Sequence, residues 1–383
     1  MLDRLLTPEL QNLRALFVKN GRDLRFVGGC VRDSLLGINP KDIDLCTDAD
    51  PAEQIELYRH AGVSYHETGI AHGTITVVLS GVPYEITSLR RDVETDGRRA
   101  TVAYTRDWTA DLERRDFTIN AMSLTFDGEL IDPFNGLNDL GKDLVAFVGD
   151  AETRIREDYL RILRWFRFRG RFGISQSFSA QRAIKKLAKG LENISRERVW
   201  SEVKRIISGP NGPYLVLEMH QMGVAEPIGL PVELNYIVDT QECSEITSNP
   251  VTLMVSMYGM DAEKILRSWK ASSEEINLAA WLYDHWHFKQ PDRPLMTLLA
   301  VDGAPREWVL ELAALRLMDE FERGVLACWE IPVFPVGGND LLERGFKQDQ
   351  NLGKTLKQLK ELWANRGYTL TKPELLDHLG SLV

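Results

Sequence analysis

The sequence predicts an α+β chain: a mixed-sheet head followed by all-helical neck, body and tail segments. Two patterns predict it. Short β-branched or alternating runs, punctuated by Gly, Pro and Ser, are confined to roughly the first 148 residues. From about Asp150 onward apolar residues recur at helical spacing. Length is the third observation, since 383 residues exceed one ordinary core. The predicted segments are head 1–148, neck 149–209, body 210–332 and tail 333–383. The last two joints fall at SGPNGP (208–213) and IPVFPVGG (331–338).

Composition narrows the class. With 44% hydrophobic and 27% charged residues the chain reads as soluble and globular, and no apolar run approaches a membrane span. MLDRLLTPELQNLRALF carries acids early, so it reads as an amphipathic helix over 1–20 and not as a signal peptide. Cys30, Cys46, Cys243 and Cys328 lie far apart without a CxxC pair. That spacing argues against a zinc ribbon or a disulfide framework and suits a reducing cytoplasm, the expected location. Nothing in the sequence specifies an oligomeric state.

LRFVGG reads as a strand entering a turn, followed by a short helix that carries Arg32. Gly28 and Gly29 lack Cβ, so their N–H groups can approach an anion closely. Arg32, on the first helical turn, adds a cation beside the helix dipole. In the strand-like KDIDL, Asp42 and Asp44 are two apart, and period two puts both side chains on one face. Alone, such a pair could be two solvent-facing aspartates. Beside the glycine turn it suits hard divalent cations, Mg²⁺ above all, which take the rest of their shell from water and substrate phosphates. Two such ions serve nucleotidyl transfer. GTITVVL and PYEITSL read as further strands, and residues 89–105, polar and Gly-containing, as a flexible loop. LGKTL (352–356) is no P-loop, because Gln348 stands where that motif needs glycine.

GGCVRDSLLG followed by DID resembles the signature of class II tRNA nucleotidyltransferases (CCA-adding enzymes) and bacterial poly(A) polymerases. The likeness continues through ERRDFTINAM (113–122), REDYLRILRWFRF (156–168) and ISRERVWSEVKRI (194–206), with a weaker match at 339–363. It implies a polymerase-β-like nucleotidyltransferase head that uses two Mg²⁺ ions on Asp42 and Asp44. Glu85 in PYEITSL then has two readings, a third acid near the metals or an edge-strand glutamate. The resemblance assigns the sugar and phosphates of the nucleotide to Arg114, Arg115, Asp116 and Asn120. Asp116 and Asn120 would share a helical face at i,i+4.

The family's Asp and Arg that read the incoming base correspond to Asp158 and Arg161. At i,i+3 they would lie one turn apart on one helix. Ionised Asp only accepts and Arg only donates. Together they match cytosine and adenine, each with an amino donor beside a ring-nitrogen acceptor, and clash with uracil and guanine. Arg164 lies near this face and could equally touch RNA. Leu163 and Phe166 read as core. DGRR (96–99) resembles the loop that the family uses in switching from C to A, although Ala100 stands where Pro is common.

The expected activity is template-independent addition of CCA to tRNA from CTP and ATP, with release of pyrophosphate. The alternatives are an A-only-adding relative, a poly(A) polymerase, or a non-catalytic RNA-binding protein on the same fold. Residues 154–205 hold 15 basic against 5 acidic side chains in a chain of net charge −10, which suggests a polyanion partner there. Arg167, Arg169, Arg171, Lys185, Lys186 and Lys189 are candidate phosphate contacts. In the tail, Lys354, Lys357 and Lys360 oppose a stripe of Leu352, Leu356, Leu359 and Trp363, an amphipathic helix whose basic side could meet tRNA. HWH (285–287) has no suitably spaced partner and reads as a core or surface cluster.

Overall fold

The computed structural model describes residues 2–95, 100–173, 175, 177–231, 237–288, 293–348 and 350–379. The chain forms two compact units, one of residues 1–210 and 215–232, the other of 211–214 and 233–383.

The first unit is built on a seven-stranded sheet. Its strands are β1 (Leu24–Val27), β2 (Asp44–Thr47), β3 (Ser64–His66), β4 (Thr74–Leu79), β5 (Val82–Ser88), β8 (Ser123–Thr125) and β9 (Leu130–Ile131). Their order is β3-β4-β5-β2-β1-β8-β9. Only β2 and β5 run parallel; the other neighbours are antiparallel. The predicted loop at 89–105 instead carries a two-stranded ribbon, β6 (Arg90–Thr95) with β7 (Ala100–Tyr104). Its Val and Thr content, outweighed in the sequence reading by polar residues and Gly, is that of paired strands. The DGRR stretch at 96–99 lies outside the described residues.

One sheet face is covered by α1 (Pro8–Lys19) and α3 (Pro51–Ala61). Thr7 caps α1 and Pro8 starts it, where a missing N–H costs nothing. Leu10, Leu13 and Phe17 recur at helical spacing and are buried with Leu24, Phe26, Ile75, Val77 and Ile86. An Asp50/Glu53 capping box opens α3. Between β1 and β2 lies α2 (Gly29–Leu35), and α4 (Trp108–Glu113) and α5 (Gly136–Gly141) follow the ribbon and β9. On the opposite sheet face Val27, Cys46 and Leu89 pack with Trp108.

The predicted neck belongs to the same unit. It comprises α6 (Ala151–Glu157), α7 (Arg161–Phe172), α8 (Phe178–Leu187) and α9 (Arg196–Ile207). Leu163 and Phe166 are fully buried, as expected. Next come α10 (Gly212–Gln221) and α11 (Ala225–Ile228), and this unit extends to residue 232, past the predicted joint at 209.

All regular elements of the second unit among its described residues are helices. Its elements are α12 (Ile237–Ile246), α13 (Pro250–Tyr258), α14 (Asp261–Ser268), α15 (Ser273–Tyr283), α16 (Leu295–Ala300), α17 (Arg306–Leu315), α18 (Glu320–Cys328), α19 (Gly338–Glu343), α20 (Gln350–Asn365) and α21 (Lys372–Asp377). His285 stacks on Trp281 at 4.2 Å at the end of α15. In α20, Leu359 and Trp363 are buried and Lys354 and Lys357 exposed, the predicted two-faced helix. No helix among the described residues is long and apolar enough to cross a membrane.

Candidate active site

In the turn between β1 and α2, Gly28 is the position that disfavours a side chain. Gly28 sits at φ +70°, and a Cβ there would come within 2.8 Å of the Arg115 guanidinium. That guanidinium therefore lies directly against the turn. It is held by the buried Asp111, which also accepts from Arg114 at 2.7 Å and from the Arg90 backbone N–H at 3.3 Å. Burial would push the Asp111 carboxyl up, but Arg115 and Arg114 hold it below the ordinary carboxylate value. Sequence reasoning missed Asp111. Its only signal was an acid at i−3 and i−4 from two consecutive arginines.

Strand β2 begins at Asp44, so Asp42 precedes the strand and does not alternate within it. The three residues still form one acidic patch. Asp44 stands directly opposite Glu85 in the parallel β2–β5 register. Their neighbours Leu45 and Ile86 point into the core, so both acids take the other face. Surrounding protein pushes the Asp44 carboxyl above its ordinary value; Arg115 opposes this, and Glu85 and Asp42 add to it. Asp42, Asp44 and Glu85 nevertheless remain open to solvent. Among the described residues no three such side chains converge into a closed ion cage. An open set of carboxylate oxygens fits hard divalent cations that keep water and phosphate in their shell. Burial pushes the thiols of Cys30 and Cys46 up to about 11 and about 12, which leaves them protonated and unreactive.

Arg32 departs from expectation. It is 4% exposed, with Nε and Nη2 donating to Asp33 and Nη1 to Asn120. Its guanidinium also lies 4.3 Å from the Phe172 ring and 5.3 Å from Phe168. A short helix turned toward the neck brings those rings onto it, a contact that residue spacing could not reveal. Arg32 thus ties the glycine turn to α7. Gly29, in contrast, has only Arg32 within reach of an added Cβ.

Asp116 and Asn120 share one direction, but through a 3-10 turn (Thr118–Asn120) and not an α-helix. The Asn120 amide donates to Asp116 at 3.1 Å, and Arg164 Nε donates to it at 2.7 Å. Burial would push Asp116 up; Arg164 and the Asn120 amide hold it below the ordinary value.

Asp158 and Arg161 do not sit on one helix. Asp158, at φ −154° and ψ 106°, ends α6, and Arg161 starts α7. The Asp158 carboxylate accepts from the Leu160 N–H in a local turn that separates the two helices where the sequence suggested continuity. Its other oxygen accepts from Arg198 Nη2 at 2.8 Å. Arg161 donates to Glu157, to the Arg154 carbonyl at 2.9 Å and to the Arg114 carbonyl at 3.0 Å. The two side chains therefore do not pair with each other, yet the Arg114 contact brings Arg161 to the end of the Arg114–Arg115 segment.

Several neck cations are engaged inside the unit. Arg167 pairs with Glu202 at 3.1 Å, Arg169 with Glu218 at 3.1 Å and Arg171 with Asp33 at 3.4 Å. That reduces the basic face the charge count implied, because acids distant in sequence fold back on it. Lys186 pairs with Glu152 at 2.7 Å, while Lys185 and Lys189 are exposed.

Residues 24–146 match the family model described as the Poly A polymerase head domain, and 177–231 the one described as the probable RNA and SrmB-binding site of polymerase A. The chain is 39% identical over 402 residues to the Homo sapiens protein named CCA tRNA nucleotidyltransferase 1, mitochondrial, spanning 98% of this chain and 90% of that one. It is 29% identical to the CCA-adding enzyme of Latilactobacillus sakei, over 92% and 91%. Among solved structures, the Bacillus stearothermophilus CCA-adding enzyme in complex with CTP aligns with a TM-score of 0.76 at 25% identity, covering 94% of each chain. The Thermotoga maritima CCA-adding enzyme complexed with tRNA_CCA shares the fold, with a TM-score of 0.70 at 21% identity over 100% of this chain and 98% of that one.

Proposed function

The chain belongs to the tRNA nucleotidyltransferase and poly(A) polymerase family, and from that premise we propose that it adds CCA to tRNA 3′ ends, without a template, from CTP and ATP. The observation that carries the reading is the outward Asp44–Glu85 pair beside Arg115 and the Gly28 turn, in the same compact unit as the Asp158–Arg161 break.

Asp42 and Asp44, with Glu85 beside them, would hold divalent cations, which we take to be two Mg²⁺. When bound, such ions lower the charge barrier between the attacking tRNA 3′-hydroxyl and the α-phosphorus and ease departure of pyrophosphate. Gly28 and Gly29 let the backbone approach the triphosphate, and Arg114 and Arg115 face its charge, pre-oriented by Asp111. Arg32 orders this turn through Asn120 and does not itself offer a free fork to phosphate. Asp116 and Asn120 meet the sugar, and Arg164 steadies Asp116. Asp158 accepts from the exocyclic amine of cytosine or adenine while Arg161 donates to the ring nitrogen. Such a pair distinguishes bases by about 1–3 kcal/mol per contact.

The four-part division into head 1–148, neck 149–209, body 210–332 and tail 333–383 is part of this reading, with Lys185, Lys186, Lys354 and Lys357 on tRNA phosphates. Arg167 and Arg169 would reach RNA only by leaving Glu202 and Glu218. Four free cysteines are compatible with a reducing compartment, which we take to be the cytoplasm. The Homo sapiens relative carries a mitochondrial name.

The test is metal-dependent incorporation of labelled CTP and ATP into tRNAs lacking zero to three terminal nucleotides. CCA completion, with Asp42→Ala inactive but still tRNA-bound, is the expected result. A alone after CC, long A tails, or no incorporation would replace it with the A-only, poly(A) or non-catalytic reading.

A further inference from the structure

We propose that Gly190 and Tyr159 form a positioning pair that fixes the aim of Asp158 and so governs which bases are accepted. The inference rests on the reading that Asp158 and Arg161 select the base.

The break between α6 and α7 leaves Asp158 outside any helical ladder, with extended backbone. Its carboxylate is held by the Leu160 N–H and by Arg198, both adjustable partners. The next residue, half-buried, is instead constrained by contact. The Tyr159 ring lies on the bare Cα of Gly190, in a 3-10 turn (Ala188–Asn193). A Cβ at Gly190 would stand 1.9 Å from Tyr159 Cε1, 2.0 Å from Cδ1 and 2.4 Å from Cζ. All three nearest atoms belong to that one ring.

Gly190 is not a conformational requirement. Its φ is not positive, and the turn is one that other residues adopt. Space alone demands glycine. The turn cannot retreat, because Ala188 and Leu191 on it are buried. Carbon atoms pack at about 3.5–4.0 Å, so a methyl here would displace the ring by roughly 1.5–2 Å. The Tyr159 backbone accepts from the Ile162 N–H and that of Asp158 from the Arg161 N–H. Movement of the ring therefore reaches Asp158 through one peptide bond and disturbs the first turn of α7.

The test uses the full chain and a tRNA ending at the discriminator base, and reads the ratio of UTP to CTP incorporation. A ratio does not change with the fraction of folded protein, so a merely structural role would not move it. Gly190→Ala should raise it about tenfold, the order of one lost base contact. Tyr159→Phe keeps the ring and should keep the wild-type ratio. Tyr159→Ala should raise the ratio, and Gly190→Ala with Tyr159→Ala should match Tyr159→Ala alone, because the added methyl then meets no ring. If Gly190→Ala does not fold, the Tyr159→Ala and Tyr159→Phe comparison decides. Wild-type ratios for Gly190→Ala and Tyr159→Ala, with Asp158→Ala relaxed, would overturn the pairing alone. An unrelaxed Asp158→Ala would overturn the base-reading premise and the pairing with it.

Discussion

Asp44 and Asp116 are two carboxylates whose surroundings push them in opposite directions. Asp44 is raised by its surroundings and by two acidic neighbours against the pull of Arg115, so its charge destabilises the metal-free fold as pH rises above the ordinary carboxylate value. Asp44→Asn should therefore raise the melting temperature of metal-free protein, and only slightly, because solvent screens the exposed carboxylates from one another. It should also abolish the melting increase that Mg²⁺ produces in the wild type. An unchanged Mg²⁺ response would remove Asp44 from the metal site. Asp116 is lowered despite burial, through Arg164. Its contribution is fully present above an unfolded value of about 3.9 and is lost as pH falls through the lower folded value. Asp116→Asn should flatten the stability curve below about pH 4, as read by circular dichroism.

At the scale of elements, α2 and α7 meet through Arg32. Removing the guanidinium leaves the buried Asp33 and Asn120 short of a partner and the Phe172 ring without its cation. Arg32→Ala should cost on the order of 2–4 kcal/mol in urea denaturation, and Arg32→Lys should recover only part of it, because an ammonium cannot reproduce the fork. Helix α20 separates its two faces more cleanly. Trp363→Ala should cost about 3–5 kcal/mol, since the ring is 2% exposed against Phe334 and Tyr368. Lys354→Glu with Lys357→Glu should leave stability within about 0.5 kcal/mol while weakening tRNA binding. Equal binding in a filter assay would take α20 out of the RNA contact.

For the molecule as a whole, a net charge of −10 and a basic neck suggested strong electrostatic capture of RNA. Folding spends much of that charge internally, on Glu202, Glu218, Asp33, Glu157 and Asp158. The dependence of log Kd for tRNA on log salt should accordingly have a slope magnitude of about 3–5, not the roughly ten that the neck's excess of cations would suggest. A slope near ten would mean that these pairs open on RNA.

The sequence by itself determined the order of segments, the glycine turn, the acids at 42 and 44, and the face of α20. Each is written in local sequence: acids two apart before and at a strand start, a 3.6 period for helices, glycine where a Cβ cannot fit. Tertiary structure alone decided that Glu85 stands opposite Asp44, that Asp111 holds Arg114 and Arg115, and that Arg32 is stacked beneath α7. It also decided that Asp158 sits in the break between two helices instead of within one, since i,i+3 spacing is the same on a helix and across a break. Partners far apart in the chain are chosen by packing, and local periodicity carries no record of them.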